Sequence, residues 1–273
     1  MTIDQLQQPI YKVFQQYLED YRSRTTSDIP LLTDVEQYLG QFPGKQIRPT
    51  LLLLSAQACQ NLHEKHVVLA SAVELLHNAS LMHDDVVDES DVRRGRDSVR
   101  HRWGNQVAVL CGDYYLSLVM NALQEAGMNA AGHLLKETVD SMCRGELKQL
   151  SLVSKGSTTV ENYIDIIGCK TAAMMSTCCE LGACRRDDED AGAYRQALRD
   201  YGYHYGLVFQ MRDDLNDTNM EHDISLFDRK AVQSLIEEHT ELANKALAML
   251  PDSPARQSLY DFLQPAAPQP TNQ

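Results

Sequence analysis

Apolar residues recur along this chain at three- and four-residue intervals, the period of helices with one buried face. Ile3, Leu6, Ile10, Val13, Phe14 and Leu18 set the pattern over residues 3–22, and it resumes after Pro30 over Leu31–Leu39. Phe42, Pro43 and Gly44 give a turn signal. The next predicted helix, Thr50–Asn61, is apolar nearly all round (LLLLSAQAC), which places it centrally. Helical patterning then covers residues 64–84, 106–124, 130–153, 159–183, 191–217, 229–250 and 254–263. An Arg-rich loop at 91–103 and polar connectors at 154–159 and 185–190 separate these segments. No run of alternating strands, no Gly-rich nucleotide loop and no fixed-period repeat interrupts them. The fold class predicted is all-α, one domain over 1–263 with about ten helices. The tail 264–273, QPAAPQPTNQ, is expected to be disordered.

One predicted helix ends abnormally. Its apolar run, Leu75 to Met82, gives way to Asp84, Asp85 and Asp88. Asp84 and Asp88 fall on one face a turn apart, where like charges destabilise a helix unless a cation lies between them. Adjacent arginines, Arg93 and Arg94, follow and are closed by Gly95. Carboxylates suit a hard cation and guanidiniums suit phosphate oxygens, so the stretch is consistent with a metal–diphosphate site. Taken alone it reads equally well as a solvated acidic patch. The pattern occurs twice, however: GLVFQMRDDLND at 206–217 ends in Asp213, Asp214 and Asp217 with the same spacing. Two such helices facing each other would clamp metal ions from both sides of a cleft.

The net charge of −13 argues against nucleic acid as the main partner. It also sharpens the metal argument, because like charges about 4 Å apart cost roughly 4 kcal/mol at an effective dielectric of 20. A diphosphate beside Asp84 and Asp88 therefore calls for a divalent metal, and Mg²⁺ is commonly held by one or two carboxylates plus substrate phosphates. Seven cysteines without a CxxC pair suit a reducing, cytoplasmic compartment. The N-terminus lacks a signal-peptide pattern, and the run Leu51–Ala56 is too short to span a bilayer.

Together, GKQIRP (44–49), HNASLMHDDVVD (77–88), RRG (93–95), KTA (170–172) and FQMRDDLND (209–217) resemble the trans-isoprenyl (polyprenyl) diphosphate synthase family, in order and over most of the chain. The resemblance implies an all-helical fold around a deep cavity, a homodimer, and Mg²⁺-dependent condensation of isopentenyl diphosphate with an allylic diphosphate. By position, Asp84, Asp85 and Asp88 match the first aspartate-rich motif, with Asp84 and Asp88 as metal ligands. Asp213, Asp214 and Asp217 match the second, with Asp213 the most direct ligand. Lys45, Arg48, His77 and Arg94 are similar to the residues that hold isopentenyl diphosphate, and Arg93 and Lys170 to those that touch the allylic diphosphate. Thr171 and Gln210 resemble the polar groups flanking the reacting carbon. His83 and Asp91 are read as structural or supporting, and Arg144 and Lys148, near Glu146, as a solvated helix face.

In the family a bulky aromatic just before the first motif stops chain growth; here Ala79 and Ser80 are small, which implies a deeper tunnel and a medium- to long-chain product. The family's Gly-Lys pair after the second motif is missing, since the chain continues TNMEHDISLF from Thr218. A non-catalytic or partner-dependent subunit is therefore the alternative to a working prenyltransferase. A terpene cyclase is disfavoured because it needs no second diphosphate pocket.

Overall fold

The computed structural model describes residues 1–42, 44–153, 159–185, 193–216 and 229–264. Asp217, most of the segment after the second motif and the tail from 265 lie outside the described residues. The described chain is helical apart from one two-stranded hairpin.

The first expected helix is broken by Pro9, which cannot donate to a helical ladder. It becomes α1 (Ile3–Leu6), a 3₁₀ turn at Gln8–Ile10 and α2 (Tyr11–Thr25). After α3 (Pro30–Gly40) comes α4 (Ile47–Ala58), displaced about three residues from the expected 50–61. Left-handed residues bracket it, Gln46 at φ 51° and Gln60 at φ 54°. Asn61 fixes the exit by donating to the carbonyls of Ala183 and Cys184 (3.3 and 2.8 Å). Pro49 sits in the first turn, where its missing N–H costs nothing, and the helix is buried from Pro49 to Ala56.

The central helix is α5 (Glu64–Val87), which packs on α2, α4 and three helices that follow it: α6 (Val99–Trp103), α7 (Asn105–Ala126) and α10 (Ala173–Ala183). The Arg-rich segment expected as loop contains a hairpin, β1 (Val92–Arg93) with β2 (Arg96–Asp97), in addition to α6. Its two turn residues, Arg94 and Gly95, have φ 53° and 74°. A two-residue hairpin turn with both φ positive matches strand twist and favours glycine, which accounts for the Gly in RRG.

α8 (Asn129–Val153) runs to α9 (Val160–Ile167). The segment 159–183 is not one regular helix, because a π-helical turn at Gly168–Ala172 separates α9 from α10. α11 (Ala193–Asn216) packs on that turn, on α10 and on α12 (Arg229–Leu247), and α13 (Pro254–Phe262) closes against α4. Gly206 makes the close approach possible: a β-carbon there would lie 2.5 Å from Ala172 Cα. One large apolar cluster spans Ile10 to Leu263, and a smaller one joins α9, α11 and α12 through Tyr163, Leu207, Met211 and Ile236. Among the described residues no helix is long and apolar enough to cross a membrane.

Candidate active site

A cavity of about 610 Å³ opens at the C-terminal end of α5. Asp84 lines it from α5, and Asp213 and Asp214 line it from α11, so the two aspartate motifs share one space. No basic residue occupies the last turn of α5, although a helix C-terminus is a poor place for carboxylates. Burial pushes the Asp84 carboxyl up to about 6, helped by Glu146 and Asp88 and opposed by Lys170 and Arg93. Among the described residues no cation stands within ion-pair distance of Asp84. A half-buried carboxylate at a negative helix end fits a bound cation. No group of three or more metal-ligating side chains converges among the described residues.

The other members of the first motif have different places. Asp85, expected among the ligands, is 3% exposed and turned away from the cavity. Arg93 donates to its Oδ1 from Nε (2.8 Å), and Nη2 lies in ion-pair contact with the same oxygen (2.6 Å). One residue along a helix is about 100° round it, so Asp84 and Asp85 cannot share a target. Asp88 is exposed, caps α5 and lies beyond the cavity lining.

Lys170 and Thr171 enter the cavity from the π-helical turn, an irregularity common at functional sites. Lys170 is paired with Glu146 of α8 and donates to Gln149 Oε1 (2.9 Å). The Thr171 hydroxyl donates to Gln210 Oε1 (2.8 Å), and Gln210 Nε2 donates to Asp214 Oδ1 (2.7 Å). Tyr163 donates to the other Asp214 oxygen (2.6 Å). The tyrosine's own proton is held by burial and by that carboxylate.

The four residues expected to hold one diphosphate divide between two cavities. Arg48 and His77 line the first, while Lys45 and Arg94 line a second of about 630 Å³ on the other side of α5. Arg48 is half-buried, its Nε is enclosed without a hydrogen-bond partner, and burial lowers its pKa. His77 is held neutral first by burial and then by Arg48, Arg94 and Arg93, so these three arginines act on it from both sides of α5. Beneath them Glu74 is 2% exposed. Burial raises its pKa, Arg48 and Arg94 oppose the rise, and Gln46 donates to it at 3.1 Å.

Ser80 lines the first cavity, whereas Ala79 is fully buried in the core and does not. The reason is helical phase, since four residues back from Asp84 is about 40° off its face and five back is about 140° off. Leu76, Leu116, Val139 and Met142 continue the wall as an apolar groove between α5, α7 and α8. Glu146 was not singled out by the sequence, because Arg144 and Lys148 beside it are surface residues, paired with Asp140 and Asp165. Tyr163 carries no sequence signal. His83, expected as support, lines the cavity, and Asp91 pairs with Arg100 and His101 at the surface.

With this geometry in hand, comparison with known proteins is direct. Residues 29–233 match the family described as polyprenyl synthetase. Octaprenyl diphosphate synthase of Escherichia coli (strain K12) is 34% identical over 199 residues, 71% of this chain and 60% of the relative. Heptaprenyl diphosphate synthase component 2 of Geobacillus stearothermophilus is 34% identical over 202 residues, 73% of this chain and 62% of that protein. The match thus spans less than two thirds of these relatives' length. A decaprenyl diphosphate synthase from Rhodobacter capsulatus superposes with TM-score 0.83 at 28% identity, covering 96% of this chain and 97% of the other. A polyprenyl synthase from Caulobacter crescentus, complexed with calcium and isoprenyl diphosphate, shares the fold with TM-score 0.85, over 96% of each chain. The paired aspartate helices, the cationic wall and the family match over most of the sequence agree, and the chain belongs to the polyprenyl synthetase family.

Proposed function

We propose that the chain is a Mg²⁺-dependent prenyltransferase that condenses isopentenyl diphosphate with an allylic diphosphate, yielding an all-trans polyprenyl diphosphate of medium to long chain. One observation carries the reading: Asp84, Asp213 and Asp214 share a cavity with Arg48, Arg93 and Lys170, and that cavity runs on into an apolar groove. Asp84 and Asp213 would hold Mg²⁺, which when bound supplies positive charge to the leaving diphosphate. Asp88, and Asp217 outside the described residues, remain candidates to complete that set, while Asp85 holds Arg93.

Arg93 and Lys170 face the allylic diphosphate, each kept in position by a carboxylate. Arg48 and His77 in this cavity, with Lys45 and Arg94 across α5, are the candidates to hold the isopentenyl diphosphate. Thr171 and Gln210 present oriented dipoles to the carbon where positive charge develops, and they do so without reorganisation because each is already hydrogen-bonded. Leu76, Leu116, Val139 and Met142 keep water from that carbon and receive the growing chain. The relatives' names, octaprenyl, heptaprenyl and decaprenyl diphosphate synthase, support the product class. A reducing cytoplasm and a homodimer are part of the proposal.

The test is incubation of purified chain with Mg²⁺, isopentenyl diphosphate and allylic primers of several lengths, followed by product sizing. Elongated products are expected, and no product with any primer refutes the reading for the isolated chain. The word component in the Geobacillus stearothermophilus name favours a second reading, in which this chain acts with a different subunit. Product from the chain alone refutes that one.

A further inference from the structure

Both oxygens of Asp214 are engaged by donors. Tyr163 donates to Oδ2 (2.6 Å) and Gln210 Nε2 to Oδ1 (2.7 Å). Gln210 Oε1 in turn accepts the Thr171 hydroxyl (2.8 Å). Each direction in this chain follows from the one before it. A carboxylate only accepts, so the end of the Gln210 amide that faces it must be the NH₂. The amide oxygen is then turned to Thr171. The hydroxyl proton of Thr171 is spent on that oxygen, which leaves Thr171 only lone pairs to offer elsewhere. Gln210 Oε1 keeps a second lone pair as well. Both residues line the first cavity, so the wall they share is electron-rich at both oxygens. Turned over, the amide would present its N–H edge there and free the Thr171 proton, and the sign would reverse. The packing holds this order in place. Tyr163 is 3% exposed, inside the apolar cluster that joins α9, α11 and α12. Gly206 lies one turn before Gln210 on the same face of α11. Its close approach to Ala172 brings Thr171 within reach of the amide.

We propose that Tyr163 and Asp214 are positioning residues. Tyr163 holds the Asp214 carboxylate, and the carboxylate fixes the Gln210 amide so that its oxygen, with that of Thr171, faces the carbon where positive charge develops. Asp214 acts through Gln210 and not as a ligand of Mg²⁺, although it belongs to the second aspartate motif. Neighbours on a helix point about 100° apart, so Asp213 and Asp214 divide two tasks, as Asp84 and Asp85 do. The charge that this wall meets rests on the function proposed above, whereas the order of the hydrogen bonds does not.

Tyr163→Phe supplies the test, because it keeps the ring in its cluster, leaves every charge in place and removes one donor. Two analogues of the allylic diphosphate are titrated calorimetrically into the full chain with Mg²⁺. One is a neutral thiolodiphosphate, and the other carries an ammonium nitrogen in place of the carbon that becomes positive. The parent should prefer the ammonium analogue. Tyr163→Phe should lose roughly ten-fold of that preference while binding the neutral analogue as the parent does. A merely structural role would weaken both alike. In turnover, kcat should fall roughly ten-fold with KM for both substrates unchanged. Asp214→Asn is read against Mg²⁺ alone. The Mg²⁺ concentration for half-maximal binding of the neutral analogue should stay near the parent's, and a rise like that of Asp84→Asn would make Asp214 a ligand and overturn the assignment. A further measurement needs no ligand. With ¹⁵N-glutamine incorporated, the Gln210 side-chain amide is identified by its loss in Gln210→Glu. Its protons should exchange with water roughly ten-fold faster in Tyr163→Phe than in the parent. Parent-like preference or parent-like exchange in Tyr163→Phe, or no preference in the parent, would each overturn the proposal. No product with any primer, beside the expected preference and exchange, would sink the enzymatic reading for the isolated chain and leave this one standing.

Discussion

Asp85 offers the sharpest separation of a metal ligand from a residue that positions a neighbour. Its carboxylate is buried and takes two contacts from Arg93, whose side chain is 36% exposed. Asp85→Asn keeps the shape, removes the charge and releases the guanidinium. Breaking a fully buried pair from one side costs 3–5 kcal/mol, but Arg93 can rehydrate, so the loss should be near that of one charged hydrogen bond, about 2 kcal/mol. For a chain of this size that is roughly 4–8 °C in melting temperature. Arg93 would then lose its aim at the first cavity, and kcat should fall while the Mg²⁺ concentration for half-maximal rate stays near the parent's. Asp84→Asn should do the reverse, raising the Mg²⁺ requirement strongly and sparing the melting temperature. Thermal unfolding and Mg²⁺ titration of initial rates on both variants decide the matter. If Asp85→Asn raises the Mg²⁺ requirement as Asp84→Asn does and melts like the parent, Asp85 is a ligand and the reasoning is wrong.

Two further outcomes follow from burial and phase. Ser80→Phe should shorten the product, since its ring would enter the apolar groove about 6 Å below Asp84, whereas Ala79→Phe should chiefly overpack the core at a cost of about 1–3 kcal/mol. Product sizing and urea unfolding check both, and a shorter product from Ala79→Phe at undiminished stability would contradict the assignment. Glu36 carries its proton up to about 7 because it is buried. An acid whose folded pKa lies above its ordinary value of 4.5 makes folding take up a proton. Stability should therefore fall as pH rises from about 4.5 through 7 and level off above. Glu36→Gln removes that slope and should gain up to about 3 kcal/mol on the parent at pH 8. Parallel unfolding curves at pH 5 and 8 would refute it.

What the sequence determined by itself was local and periodic. Three- and four-residue spacing is a property of one helix, so the all-α class, the buried α4 and the placing of each aspartate motif at the end of an apolar helix were legible without coordinates. So was the succession of carboxylates by arginines, read as groups for a metal and for phosphate; that Asp85 and Arg93 hold each other was not. Boundaries failed where one residue outweighed the pattern: Pro9 split the first helix, and Gln46 and Gln60 moved α4. Tertiary structure alone decided direction. A step of one residue turns a helix by about 100°, which sends Asp84 to the cavity and Asp85 to Arg93, and Ser80 to the groove and Ala79 to the core. The same step sends His77 and Asn78 to opposite sides of α5. Glu146, Tyr163 and the second cavity depend on which helices meet, and no window of the chain contains that.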